Sequence, residues 1–385
     1  MYTKNRWIVM ILEFLMILGG IGVIGECYII SLWVIAYRRT KKRTFATYNP
    51  VAAVIVPCKG IEHGFPENIQ AFLTQEYLKY RLIFVVDTKQ DPAYTVLENL
   101  IGNTPYGCIR VTKPCSGCSG KVAALLTGLE ATEDAEVLVF ADSDIKPDAQ
   151  WLMNLVIPLQ DDSIGATTGF RWYFPFNWRT LLISAWNMTS IVFMFYPSYT
   201  FAWGGSTAIR KNLFKQLQIH EKWKTAFSDD LVLTTSVKKA GYNIFLQPKC
   251  IMESPPETRI RSFVHWGTRQ YTWVRWYYPV FWLGSFFGFI GAQVIIALGI
   301  LLLLLGYLFP GILLSSLIIF EILYGWLGIT ILPKTMIYPK DRYPSRIGYA
   351  LLTPVVFLLL AQNAFASAIT KEIHWAGRSY RKPKN

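Results

Sequence analysis

The stretch Val137-Leu-Val-Phe-Ala-Asp142-Ser143-Asp144-Ile-Lys-Pro147 decides the fold. An apolar run ending in two carboxylates spaced i, i+2 reads as a buried parallel strand. It delivers Asp142 and Asp144 at its carboxyl end, where open α/β sheets bind ligands. An Asp-x-Asp pair alone is expected by chance about once in a chain this long. Its position gives it meaning, because two acids at the mouth of a buried strand repel unless a cation or solvent compensates them. Metal or nucleotide binding is the expectation, set against a solvated loop.

Outward from this strand the pattern repeats. Val51 to Pro57 and Arg81 to Val86 are short apolar runs, each followed by a polar helix-like stretch, and the spacing predicts a parallel sheet of βαβ units from about Asn49 to Gln247. Asp87 ends the second run, where an acid can bond a ribose hydroxyl or a base edge. No Gly-x-Gly-x-x-Gly follows the first strand and no Walker loop is present, so dinucleotide and P-loop readings fail on the motif itself. Lys121, opening the helical stretch after Gly117-Cys-Ser-Gly120, either meets a phosphate at a helix N-terminus or is a surface residue.

The chain has 385 residues, 52% of them hydrophobic, and a net charge of +13; its mean hydropathy is +0.30. That is too apolar for an ordinary soluble protein and too interrupted for a pure helical bundle, so a part-membrane, part-globular protein is expected. The charge fits an anionic partner or an anionic membrane face. Six cysteines include one close pair, Cys115-Ser-Gly-Cys118, and there are four histidines; free thiols in a reducing compartment are expected rather than a zinc site.

Ile8 to Ala36 is long enough to cross a bilayer, and Arg38, Arg39, Lys41, Lys42 and Arg43 follow it at once. The positive-inside rule places the next segment in the cytoplasm, behind a retained anchor. Glu26 falls near mid-membrane, where a carboxylate is costly unless protonated or paired. Leu181 to Tyr196 tempts a membrane assignment, but a single crossing there would separate Asp142 and Asp144 from everything after Trp203. It is read as buried or interfacial. Phe281 to Tyr307, Gly311 to Leu332 and Ile347 to Ile369 are three further candidate spans, with Glu321, Gln362 and Asn363 as interhelical polar contacts. Three crossings would leave the tail outside, whereas Lys371, Arg378, Arg381, Lys382 and Lys384 prefer the inside. Either Pro354 bends the last segment or one segment does not cross.

Two more polar motifs remain, Trp203-Gly204-Gly205-Ser206-Thr207-Ala208 and Ser228-Asp229-Asp230. The second predicts a helix capped by Ser228 with two acids in its first turn. Taken in order, Val-Pro-Cys-Lys59-Gly60, Val-Val-Asp87-Thr-Lys-Gln-Asp-Pro92, Gly120-Lys121, Phe-Ala-Asp142-Ser-Asp144, Trp203-Gly204-Gly205 and Ser-Asp229-Asp230 resemble the family 2 glycosyltransferases, most closely the ceramide glucosyltransferase group. The resemblance covers well over half of the chain.

The resemblance implies a GT-A (Rossmann-like) α/β catalytic domain with N- and C-terminal transmembrane helices. It implies inverting transfer of one hexose, glucose foremost, from a uridine diphosphate sugar to a lipid hydroxyl such as that of ceramide or diacylglycerol. Lys59, Asp87, Lys121, Asp142 and Trp273 would bind the donor, and Asp144 with Asp142 would hold Mg²⁺ or Mn²⁺. Trp203, Gly204 and Gly205 would meet the acceptor. Asp230 would be the general base, with Asp229 beside it. The family's Gln/Arg-x-x-Arg-Trp motif is incomplete: Arg269-Gln-Tyr-Thr272-Trp273 carries threonine where an arginine belongs, so either Arg275 supplies the guanidinium or Arg269 acts alone.

The expected organisation is an anchor and basic linker over 1–43 and a cytoplasmic catalytic domain over 44–260. An interfacial helix over 261–280, membrane segments over 281–370 and a basic tail over 371–385 complete it. Nucleotide sugar, lipid and membrane are the expected partners, with no nucleic acid. A processive polysaccharide synthase and a non-enzymatic lipid-binding relic are the alternatives. Few spans argue against the first, and the retained acids against the second.

Overall fold

The computed structural model describes residues 2–43, 45–102, 104–254, 259–331, 345–375 and 377–382; Leu332 and Lys384 lie outside them. Helix α1 (Tyr2–Lys42) leads into β1 (Ala52–Cys58), α2 (Phe65–Leu73), β2 (Tyr80–Val86), α3 (Pro92–Ile101), β3 (Gly107–Val111), α4 (Gly120–Leu129) and β4 (Val137–Ala141). Strands β1 to β4 are parallel to their neighbours in the order β3-β2-β1-β4. The apolar runs are buried strands: every residue of β4 and all of β1 except Pro57 is buried.

The second half of the sheet departs from the all-parallel expectation. After α5 (Trp151–Val156), β5 (Ile164–Tyr173) and α6 (Trp178–Met194), strand β6 (Ser206–Arg210) runs antiparallel between β4 and β5. Then come α7 (Lys211–Gln216), α8 (Ile219–Trp223), α9 (Asp229–Lys239) and β7 (Asn243–Ser254), which is parallel to β5 and completes the order β3-β2-β1-β4-β6-β5-β7. This mixed, Rossmann-like sheet fits the GT-A domain that the resemblance implies. The antiparallel β6 brings the loop before it, Trp203 to Gly205, back to the carboxyl end of β4, and Asp142 N–H donates to Gly205 O at 3.3 Å.

Helix α6, apolar enough to suggest a membrane segment, is instead buried against the domain and the helices below it. Its Asn177 cap box fixes the start, an interaction worth about 1 kcal/mol.

Among the described residues four stretches are long and apolar enough to cross a membrane: Val9–Arg39, Pro279–Leu304, Leu308–Ile331 and Arg346–Ile369. They correspond to α1, α11 (Pro279–Leu304), α12 (Leu308–Ser315) with α13 (Leu317–Ile331), and α14 (Arg346–Ile369). The protein is a membrane protein. Gln293 of α11 donates to Glu321 of α13 at 2.6 Å, the polar interhelical contact expected of that acid. Helix α1 packs on α12 and α13. A methyl group added at Gly19 would lie 2.6 Å from Leu314.

Between β7 and α11, helix α10 (Ile260–Tyr277) carries the aromatic-rich run, and it lies along α14. The tail is a hairpin of β8 (Glu372–Trp375) and β9 (Arg378–Arg381), docked on α10 through buried Ile373 and Tyr380.

Candidate active site

Asp142 and Asp144 leave the end of β4 as its first loop residues, and other segments close around them. Helix α4 supplies Lys121, whose Nζ lies 2.6 Å from Asp142 Oδ1 and 3.5 Å from Asp229 Oδ2 and donates to Gly204 O at 3.2 Å. Of the two sequence readings of Lys121, the surface one is excluded. The loop before β6 needs glycine here, since a methyl at Gly204 would sit 2.7 Å from both Asp229 Oδ2 and Lys121 Nζ.

Ser228 caps α9, accepting from Leu231 N–H, and sets the two acids in the first turn as predicted. Their environments differ. Asp229 is buried, at 6% exposure. Burial, opposed by Lys121 and reinforced by Asp230 and Asp142, pushes its carboxyl up to about 6. Asp230 is more accessible. Its Oδ1 accepts from Ser228 Oγ and from Leu231 N–H, and its Oδ2 from Gly204 N–H at 3.4 Å.

Arg171 on β5 was not anticipated. Its guanidinium reaches Asp142 Oδ2 at 3.7 Å and Asp144 Oδ2 at 3.5 Å and lies over the Trp203 ring, 4.9 Å from the centroid. The sequence signal was an arginine inside the otherwise uncharged strand Ile164–Tyr173. Glu62, after β1, is a second residue missed. Burial and the nearby Asp144 and Asp142, partly offset by Arg171, raise its carboxyl. Asp142 is pushed up by burial, but Lys121 and Arg171 outweigh that and hold it below the usual carboxylate range. Asp144 is raised, by burial and then by Asp142, against Arg171 and Lys121.

Asp144 Oδ1 is buried and has no hydrogen-bond partner. Among the described residues no group of three His, Cys, Asp or Glu converges on one point. The partnerless oxygen of Asp144 fits a hard divalent cation held by one or two carboxylates.

The remaining predicted residues divide. Lys59 and Asp87, at the ends of β1 and β2, form an ion pair at 3.2 Å. Arg269 stands 5.9 Å from the Trp375 ring; burial, with Arg171 nearby adding to it and Tyr173 opposing it, lowers its basicity. Arg275 is engaged elsewhere, donating to Ala368 O and Thr370 O at the end of α14. The free carbonyls of a helix C-terminus attract a cation, and that has drawn it away from the acid cluster. Trp273 packs in the tail cluster, 6.0 Å from Tyr380. Cys115 and Cys118 are disulfide-bonded rather than free, in the loop leading to α4.

Two solved structures resemble this chain at low identity. The mannosyltransferase PcManGT from Pyrobaculum calidifontis, in complex with GDP-Man and Mn²⁺, is 17% identical with a TM-score of 0.48; the match covers 91% of this chain and 98% of that one. Glucosyl-3-phosphoglycerate synthase from Mycobacterium tuberculosis, in complex with Mn²⁺, UDP and glucosyl-3-phosphoglycerate, is 15% identical with a TM-score of 0.36, over 55% of this chain and 74% of that one. The sequence model of glycosyl transferase family 21 matches residues 16–384, nearly the whole length, and the chain belongs to that family.

Proposed function

We propose that this membrane glycosyltransferase moves one hexose, glucose foremost, with inversion, from a UDP-sugar to the hydroxyl of a lipid such as ceramide or diacylglycerol. One observation carries the lipid reading. The helix that begins with Asp229 and Asp230 is fastened to the start of a membrane helix: Tyr278 Oη donates to Leu231 O at 3.1 Å, and α11 begins at the next residue, Pro279. In this reading an acceptor hydroxyl at Asp230 lies at the depth of lipid headgroups. A growing polymer would need a polar passage through helices that are almost wholly apolar.

In this reading Lys59 and Asp87 bind the nucleoside, and Lys121 and Asp142 orient the diphosphate side of the donor. Asp144, with Asp142, would hold Mg²⁺ or Mn²⁺, which when bound offsets the charge growing on the leaving diphosphate. Asp230, accessible and held by three hydrogen bonds, takes the acceptor proton as the oxygen attacks the anomeric carbon from the face opposite the diphosphate. One displacement inverts the centre. Asp229 is a positioning residue, holding Lys121. Trp203, with Gly204 and Gly205, forms the wall beside which the acceptor lies.

The same reading orients the chain. With the catalytic domain cytoplasmic, α1, α11 and α12–α13 cross, and α14 lies along the membrane surface. The start of α14 touches the catalytic domain and its end the interfacial helix: Tyr349 stacks on Trp172 of β5 at 6.2 Å, and Arg275 of α10 holds Ala368 and Thr370. Its outward residues Ile347, Leu351, Val355, Leu358, Phe365 and Ile369, interrupted by exposed Gln362, form a mainly apolar stripe that suits the acyl layer.

The test is mass spectrometry of lipids from a host expressing the protein, beside an Asp230→Asn control. A monohexosyl lipid present only with the active protein is the expected result. Long insoluble or secreted glycan without it would replace this reading by the polysaccharide synthase.

A further inference from the structure

The motif carries Thr272 where a second arginine belongs, which leaves Arg269 without that partner. Thr272 is fully buried, and its hydroxyl donates to Thr268 O at 2.8 Å. Arg275 is held by the α14 carbonyls. Besides Glu62, whose carboxyl is raised by burial and by Asp144 and Asp142, four carboxylates of the site, Asp142, Asp144, Asp229 and Asp230, face two cations, Lys121 and Arg171. A divalent cation brings that set only to neutrality, so a diphosphate leaving group needs further positive charge in a partly dry site.

The C-terminal hairpin carries it. In β9 side chains alternate between faces, so Arg378 and Tyr380 share one. Register places Ile373 opposite Tyr380 and Trp375 opposite Arg378. Tyr380 is pinned against Phe227, the residue before Ser228, at 5.3 Å between ring centroids, and Trp375 lies at Arg269. That face is therefore turned to the catalytic domain, and Arg378, itself exposed, lies over the start of α4. A methyl group added at Gly120 would stand 3.3 Å from Arg378 Nη1. The next residue is Lys121. Among the described residues no carboxylate pairs with Arg378, whereas Arg381 pairs with Glu372 at 3.3 Å.

We propose that Arg378, brought back to the site by the C-terminal hairpin, contacts the donor's leaving diphosphate and supplies the guanidinium that Thr272 lacks. The tail is then part of the active site, and its contact is with the β-phosphate rather than with the nucleoside. This inference rests on the transferase reading above.

Calorimetry on the full-length protein in nanodiscs, with Mn²⁺ present, tests it. Arg378→Ala should weaken UDP binding by about 10- to 100-fold, the range of a lost charge-assisted hydrogen bond, and leave UMP binding within about 2-fold. Arg378→Lys should recover part of the loss. Ser379→Ala, on the opposite face of the strand, should bind UDP like the wild type. Unchanged resistance of the tail to limited proteolysis in Arg378→Ala shows that the hairpin stays docked. UDP affinity unchanged in Arg378→Ala, or lost equally for UMP, overturns the inference while leaving the transferase reading in place. Wild-type protein that binds neither UDP nor GDP overturns both.

Discussion

Arg171 Nη1 lies 3.5 Å from Asp144 Oδ2, while the other oxygen of the same carboxylate is buried without a partner. One half of Asp144 is satisfied by the protein, and in the proposed reaction the other would hold the metal. Asp144→Asn should reduce transfer by about 100- to 1000-fold, the range for losing one element of transition-state charge stabilisation. EDTA should reproduce the loss in the wild type. Full turnover in EDTA would remove the metal from the mechanism.

The two acids of α9 should separate kinetically. Asp230→Asn should lower kcat by about 100- to 10,000-fold with donor affinity nearly unchanged, because the proton is removed only in the transition state. Asp229→Asn should be milder and act through Lys121, weakening donor binding. Steady-state kinetics with direct donor titration distinguish them, and the reverse ranking would exchange the roles.

Asp229 also predicts a pH dependence. Its carboxyl is raised to about 6, so the charge that holds Lys121 is present above that pH and lost as pH falls through it. Transfer should decline on the acid side with a midpoint near 6. In Asp229→Asn that limb should be absent.

Arg275 and Arg269 should fail differently. Arg275→Ala removes two hydrogen bonds to the end of α14 and should cost about 1–3 kcal/mol of stability, seen as a lower Tm, with donor affinity retained. Arg269→Ala should retain the Tm and reduce kcat/KM. A normal Tm with lost donor binding in Arg275→Ala would return it to the site.

Membrane sidedness is measurable directly. With three crossings, a label at the C-terminus should share the compartment of the catalytic domain, and one at the N-terminus should lie opposite. Thiol-labelling of single introduced cysteines in sealed vesicles, on a background without exposed Cys27, reports both. A C-terminus on the N-terminal side would mean that α14 crosses.

By itself the sequence determined the parts of this protein that depend on local pattern. Buried parallel strands are continuous apolar runs, and membrane helices are long ones. Both were therefore readable, as were Asp142 and Asp144 at the end of β4 and the Ser228 cap that sets Asp229 and Asp230. Tertiary structure alone decided what depends on distant segments meeting. The antiparallel β6 returns Gly204 to Lys121 across 83 residues. Arg171 arrives from β5, and Arg275 is turned away by the free carbonyls at the end of α14. The tail, a charge run in sequence, became a hairpin because Ile373 and Tyr380 find their apolar partners on α10 and beside Phe227. Such contacts have no period for sequence to carry, since each is settled by which groups need burial or charge where the chain returns.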